Sequence, residues 1–433
     1  MTLLLLLGGA SSAVTPPDTY YLTRERVNLY LTTPSRATRY QIGQWSSFSA
    51  EKDTHDAGPC VVTAPMNAAW ITAADAAGAF DTVTGWEEYS FDLYIDGRLE
   101  WSGPIVRCSR KPGAAMHAYP TVEFTAETWT QHLLRRRSNA TTTKASVSYT
   151  DNADDIVRQA IRNANGSVTP SGYPAATSRS NFGSFTVAVE ADTSSAASIT
   201  MSEQEGNNLW AFCTGVAEKG GLYIDSTESP AATFTFGVAY PYVRNDRTAS
   251  IILTPAAGSV LSYEATRSLE DIVNLAAIKG SGSGSSQVKT WYKDVTSYGA
   301  RGGYEGEATL PEAASSSYTD DEGAAYLDRL AAPLDTVEAE VRSTAGAWFT
   351  FHPSSITGQY GMRDTVTIVL PEVSTAATAT VRGWRLEQSG TGPFRTIAKL
   401  GDWRASVGKQ MAMRTGWAGP YAQGDRWKST ASP

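Results

Sequence analysis

The chain is poor in cysteine, in charge and in long apolar runs, and each shortage excludes something. Its three cysteines, Cys60, Cys108 and Cys213, are odd in number and far apart. They spell neither a disulfide framework nor the paired spacing of a zinc site, and they fit synthesis in a reducing cytosol. Charged residues make up 18% of the 433, against about a quarter in ordinary soluble chains. The net charge is -8, and the one basic run, Arg135-Arg136-Arg137, reads as a solvated helix end or a local ion-pair site. General affinity for nucleic acid, which needs a clustered basic face, is therefore not expected. No apolar stretch approaches the length of a membrane span. The Leu3 to Leu7 run lacks the basic flank and the length of a secretory signal; it reads as an apolar arm or strand that docks on a neighbour.

The residues of catalysis are equally sparse. His55, His117, His132 and His352 fall in different segments, and none has a metal-helix spacing. Gly280-Ser-Gly-Ser-Gly284 lacks the Lys-Ser/Thr of a phosphate loop and reads as an exposed linker or hairpin tip. No Gly-x-Ser-x-Gly nucleophile elbow is present. The carboxylate clusters Glu87-Glu88 and Asp320-Asp321-Glu322 sit beside turns or helix starts, where they suit hydration and the helix dipole better than acid–base work. Asn139-Ala-Thr141 and Asn165-Gly-Ser167 match glycan acceptors, a pattern common by chance that needs a secretory route. No catalytic, cofactor or metal residue is expected, and the chain reads as a non-enzyme.

What the chain has instead is aromatics, with twelve Trp and twenty Tyr. A sequence low in charge and rich in Thr, Val, Tyr and Trp is mostly β, and large aromatics are enriched where surfaces are hidden against partners. The clearest local signal runs from Glu88 to Ile105. Phe91, Leu93 and Ile95 alternate with Asp92 and Tyr94, the period of a half-buried strand. Asp96-Gly97 tolerates positive φ at both centres and closes a tight hairpin. The chain returns through Leu99 and Trp101 to Gly103-Pro104. This predicts apolar residues on one face and carboxylates on the other.

Further strands are expected over Tyr20 to Leu31, Tyr40 to Phe48, Cys60 to Thr63 and His117 to Phe124, with a short helix from Thr128 to Arg135. The next region carries a helix over Ala153 to Arg162, capped by Thr150 or Asp151, with Ile156, Val157, Ala160 and Ile161 on one face. A strand over Phe185 to Val189 and a second helix, Gly206 to Val216, follow. Gly220-Gly221 stops that helix, and strands begin at Leu222 and Thr233; this α/β region ends near Ser262. Beyond it, strands are expected at Leu275 to Ile278, Val288 to Tyr292, Thr336 to Val341, Thr365 to Leu370, Thr378 to Leu386 and Ile397 to Asp402. A helix is expected at Tyr318 to Leu330. Periodicity fades after about 405, leaving a tail with Trp417 and Trp427 that orders against a partner.

Four stretches in this order resemble a known family: Trp45-Ser-Ser-Phe48 with Asp56-Ala-Gly-Pro59; Phe91 to Arg98 with Trp101-Ser-Gly-Pro-Ile105; Thr121 to Leu134; and Ser268 to Asn274 with Arg363 to Leu370 and Thr380 to Trp384. Together they resemble the tail-hub proteins that close the distal end of the tail tube in tailed bacteriophages. The resemblance implies a mainly β chain with a small α/β portion: two tail-tube-like β-barrel domains split by an α/β insertion. The implied limits are 1–18 for an N-terminal arm, 19–145 for the first tube-like domain, 146–264 for the insertion, 265–405 for the second tube-like domain and 406–433 for a C-terminal tail. It also implies a homotrimer, three chains giving six tube domains, located at the virion tail tip after synthesis in the host cytoplasm. Its partners would be a tail-tube or distal tail protein above and tip, fibre or tape-measure proteins, with DNA passing through the lumen and no specific nucleic-acid binding. The arm and the tail are not part of the family's pattern. Trp45, Phe91, Tyr94, Trp101, Trp129, Trp210 and Trp384 are the assembly or core candidates. The competing reading is a secreted or surface β-rich carbohydrate-binding module or glycan hydrolase, which would use Trp and Tyr faces to stack sugars and would need a cleft with a carboxylate pair.

Overall fold

In the computed structural model of the chain, the residues described are 26–33, 35–54, 58–76, 89–111, 120–130, 133, 146–164, 181–182, 185–204, 208–229, 233–269, 272–280, 282, 286–309, 323, 327, 330–331, 334–344, 346–351, 358–371 and 377–401. The apolar arm, the tail, all four histidines, the Arg135 run and both glycan-acceptor matches lie outside them. So do residues 20–25 of the first expected strand, most of the 318–330 helix and most of the Gly280 tip.

The first part of the chain forms β1 (Val27–Thr32), β2 (Arg39–Gln41), β3 (Ser47–Asp53), β4 (Pro59–Pro65), α1 (Ala69–Ala76), β5 (Ser90–Ile95), β6 (Arg98–Lys111) and β7 (Thr121–Glu127). The middle forms β8 (Ser146–Asn152), α2 (Ala153–Arg162), β9 (Asn181–Phe182), β10 (Phe185–Val189), β11 (Ser198–Gln204), α3 (Leu209–Gly220), β12 (Tyr223–Ser229) and β13 (Thr233–Ala239). The last part forms β14 (Asn245–Asp246), β15 (Ile252–Leu253), β16 (Val260–Ser268), β17 (Leu275–Lys279), β18 (Lys289–Lys293), α4 (Val295–Arg301), β19 (Glu305–Thr309), β20 (Leu334–Val341), β21 (Trp348–Phe349), β22 (Gln359–Tyr360), β23 (Asp364–Ile368), β24 (Ala377–Ser389) and β25 (Arg395–Gly401).

The mainly β class holds, but the strands are not sorted into two closed barrels. One 14-stranded sheet runs β16-β20-β25-β24-β3-β4-β7-β6-β5-β1-β2, with β14, β15 and β23 branching from β24. Its first and last parts join where β24 pairs antiparallel with β3, Gly383 opposite Asp53 through to Ser389 opposite Ser47. Gly383 is needed there, because a Cβ would run into the Lys52 carbonyl. Alternation explains the core: Phe48, Ala50, Cys60, Val62, Phe124, Ala126, Trp384 and Leu386 point to one buried face, while charged residues occupy the other.

The hairpin forms with Asp96 at φ 53° and Gly97 at φ 77°, the geometry its turn residues demand. Two details depart from the sequence reading. Asp92 is buried, not solvated; it accepts hydrogen bonds from Thr32 Oγ1 (2.6 Å), Ser102 Oγ (2.8 Å) and Arg36 Nη2 (2.6 Å), which replace its water shell. Gly103-Pro104 does not end the returning strand. β6 changes partner there, pairing with β5 up to Pro104 and with β7 from Ile105, so a missing N–H is tolerated at the switch. The Tyr40 to Phe48 strand is two strands, β2 and β3, with Trp45 on the connection between them. The helix α1 gave no amphipathic signal strong enough to be read.

In the middle part, α2 and α3 pack around their own core, with Ile156, Val157, Ala160, Ile161, Leu209, Cys213 and Val216 inaccessible. Asn208 caps α3 by accepting from the Ala211 amide (3.1 Å), and Gly221 ends it at φ 63°. The cap of α2 is Asn152 rather than Thr150 or Asp151, and its side chain makes no capping bond. Anchoring is done one turn later. Asp154 accepts from Thr193 Oγ1 (2.7 Å), Arg158 Nη1 (2.8 Å) and the amides of Ser195 and Ala196; Asp155 accepts from Ser194 Oγ (2.7 Å) and the Thr193 amide (3.0 Å). Burial pushes the Asp154 carboxyl up, but these donors outweigh it and hold the group well below the usual carboxylate range; Asp155 is lowered in the same way. Strands β14, β15 and the first half of β16, within the 146–264 stretch read as insertion, pair in the large sheet. The strands β18-β17-β19 make a separate small sheet on a third core of Val273, Ala276, Ile278, Leu327 and Leu330.

Candidate functional site

Two features of the large sheet stand out: a cleft where α3, β12 and β13 meet its apolar side, and the charged face opposite. The cleft encloses about 460 Å³ between β3, β6, α3, β12 and β13. Trp101, Trp129, Trp210 and Trp384 all border it, so the fold gathers four of the seven aromatic candidates from three distant parts of the chain. Trp101 Nε1 donates to the carbonyls of Glu51 (2.9 Å) and Gly58 (3.2 Å). Trp129 stacks on Phe234, ring centroids 3.7 Å apart, and its Nε1 donates to Ser102 Oγ (3.0 Å). Trp384 meets Phe351 edge-on at 4.9 Å. The other three candidates lie away from the cleft. Trp45 packs with Phe48 and Phe394 and donates to Gln388 Oε1 (2.9 Å); Phe91 meets Phe124 edge-on at 6.1 Å. Tyr94 is half-buried between Tyr30 (5.7 Å) and the Arg39 guanidinium (5.4 Å).

The charged groups of the cleft were missed by the sequence reading, and they are already engaged with one another. Lys52 Nζ lies 3.0 Å from Asp225 Oδ2, linking β3 to β12. Tyr223 OH donates to the same carboxylate (3.2 Å), and burial, then Asp225, pushes its phenol well above the ordinary range. Arg363, at φ 73°, sets its guanidinium 4.8 Å over the Tyr223 ring and donates to the carbonyls of Tyr242 (2.9 Å) and Pro241 (2.7 Å). Arg244 forks onto Asp364 at 3.1 and 2.7 Å. A cleft whose cations are engaged by carboxylates and carbonyls acts as a seam between the large sheet and the layer of α3, β12 and β13. A sugar-cleaving site instead needs a carboxylate pair facing an open cleft.

The opposite face is a lattice of ion pairs. Lys399 donates to Glu51 and lies 3.3 Å from Asp53 and 4.0 Å from Glu338. Arg395 bridges Glu340 and Glu387 at 2.8 Å each, Arg385 reaches Glu338 at 3.2 Å, and Arg107 and Lys111 flank Glu123. The hydrogen bond from Lys111 lowers the Glu123 carboxyl, that from Arg395 lowers Glu340, and burial raises Asp53 despite Arg382 and Lys399. By register, the carboxylates of this face (Glu51, Asp53, Glu123, Glu127, Glu264, Glu338, Glu340, Glu387) outnumber its cations (Arg107, Lys111, Arg385, Arg395, Lys399), even with Arg382 at the β24 bulge added.

Residues 28–402 match the family model described as siphovirus ReqiPepy6 Gp37-like protein. No curated protein matches the chain. Among solved structures, the tail protein from Neisseria meningitidis MC58 is similar at 12% identity and a TM-score of 0.52, covering 89% of this chain and 99% of that one. The 43 kDa tail protein of prophage MuSo2 from Shewanella oneidensis is similar at 10% identity and a TM-score of 0.51, again over 89% and 99%. At such identities the likeness is one of fold.

Proposed function

The chain belongs to the siphovirus ReqiPepy6 Gp37-like family of phage tail proteins, and from that membership we propose that it is the trimeric hub closing the distal end of the tail tube. In this reading three copies form a collar between a tail-tube or distal tail protein above and tip, fibre or tape-measure proteins below, and DNA crosses its lumen during ejection. Each copy contributes two tube-like portions, 19–145 and 265–405, with 146–264 inserted between them. The seven aromatic candidates keep each copy stiff enough to hold its edges in place.

The observation that carries the proposal is the unbroken sheet. Strands from both ends of the chain form one curtain that begins at β2 and ends at β16. β16 is nine residues long, exposed over most of its length, and bears Leu261 half in solvent. A long terminal strand of this kind invites pairing with another chain. Head-to-tail contact between such ends generates a closed ring when the rotation closes. Its charged face would then turn toward the bore, where an excess of fixed carboxylates repels DNA and lets it slide.

Mass photometry and electron microscopy of the purified chain at micromolar concentration test this. A three-fold ring is expected. A monomer, alone and with tail-tube and distal tail partners, overturns the hub reading, and a bore lined mainly by Lys and Arg overturns the placement of the charged face.

A further inference from the structure

The small sheet carries a feature that the tail reading does not use. β18 is a terminal strand of that sheet, and its five residues alternate in exposure. Tyr292 faces inward against the core of Val273, Ile278 and Leu330. Lys289, Trp291 and Lys293 face outward, and Trp291 is 52% exposed. The Lys289 ammonium lies 5.0 Å from the centre of the Trp291 ring, and the Lys293 ammonium sits 3.6 Å over Tyr298. Neither lysine has a carboxylate partner among the described residues. On the adjacent strand, by contrast, Lys279 pairs with Glu307 at 2.5 Å. Among the described residues, a chain with an excess of acid thus leaves two cations without counter-ions, either side of an exposed indole.

We propose that this stripe docks an extended acidic segment of a partner protein, with two carboxylates four residues apart and an apolar side chain midway. The geometry is commensurate. A strand rises roughly 3.3 Å per residue, so Lys289 and Lys293 stand about 13 Å apart with Trp291 halfway. An extended peptide beside them has the same period, so its first and fifth side chains meet the ammoniums while its third covers the indole. Nucleic acid fits less well, because its charge density meets a protein of net charge -8 and, among the described residues of this strand, two unpaired cations. Lysines also guard terminal strands against aggregation, but a half-bare tryptophan between them defeats that purpose. The stripe is independent of the ring, and its test leaves the hub reading untouched.

Fluorine NMR of the full chain labelled with fluorotryptophan provides the test, with the Trp291 signal assigned by its loss in Trp291→Phe. The probe is a seven-residue peptide of serines carrying two glutamates four positions apart and a leucine between them. The Trp291 signal is expected to shift on titration, with binding weakened at least tenfold by Lys289→Glu with Lys293→Glu and by placing the two glutamates side by side. All three side chains are exposed, so the variants should keep the parent's melting temperature. An unmoved Trp291 signal, an equal response to the rearranged peptide, or tighter binding of an oligothymidylate or an anionic polysaccharide each overturns the proposal.

Discussion

Removing the Trp129 indole is the sharpest perturbation of the seam between the large sheet and the layer of α3, β12 and β13. The side chain is 1% exposed, stacks on Phe234, which is equally buried, and donates to Ser102 Oγ, whose own hydroxyl donates to the buried Asp92 carboxylate. Truncating a buried Trp to Ala costs about 3–5 kcal/mol in transfer and cavity terms. Within that figure the stacked pair contributes about 0.5–1.5 kcal/mol and the indole hydrogen bond about 1 kcal/mol. Trp129→Phe keeps most of the area and loses the donor, so it should cost about 1–2 kcal/mol. The Trp129→Ala, Phe234→Ala double mutant should be less destabilised than the sum of the singles by about 1 kcal/mol, because the second truncation removes a contact already lost. Urea unfolding followed by far-ultraviolet circular dichroism reads all four values. Limited proteolysis should also show cleavage between residues 146 and 239 accelerated ahead of the sheet. A cost below about 1 kcal/mol for Trp129→Ala, or additivity within about 0.3 kcal/mol, would refute the seam.

Gly103→Ala should lower the urea midpoint by the equivalent of about 1–3 kcal/mol or more, since its Cβ meets the Glu127 backbone, while Gly43→Ala, with open space around it, should be near neutral. Asn208→Ala should cost about 1 kcal/mol through loss of the α3 cap, measured by the same titration. The depressed carboxyls of Asp154 and Asp155 give stability that is complete above the unfolded carboxylate range of about pH 4 and is lost as pH falls through their lower folded values. Asp154→Asn with Asp155→Asn should therefore lower the melting temperature at neutral pH and flatten its fall in acid; a fall as steep as the parent's would remove these groups as its cause. Trp101→Ala or Trp210→Ala should destabilise by about 3–5 kcal/mol with no loss of glycan-array signal, whereas a folded variant that loses glycan binding would restore the carbohydrate reading.

Much of the chain's local structure was legible because it depends on neighbours in sequence. The Asp96-Gly97 turn follows from residues that tolerate positive φ, α2 from its Ile156, Val157, Ala160, Ile161 face, and the end of α3 from Gly220-Gly221. The failures share a cause as well. Asp92 looks like a surface residue by alternation, yet Arg36, Thr32 and Ser102 arrive to neutralise it. The switch of β6 at Pro104 depends on β7 lying beside it, some twenty residues further along.

Periodicity and the φ preferences of single residues were enough for the β character and the short-range punctuation. The folded chain was needed to see that β24 lies beside β3, that Trp101, Trp129, Trp210 and Trp384 share one cleft, and that Lys52, Asp225 and Arg363 complete it. Strand pairing across more than 300 residues is fixed by a sum of weak side-chain contacts over whole faces. No local window of the chain contains that sum.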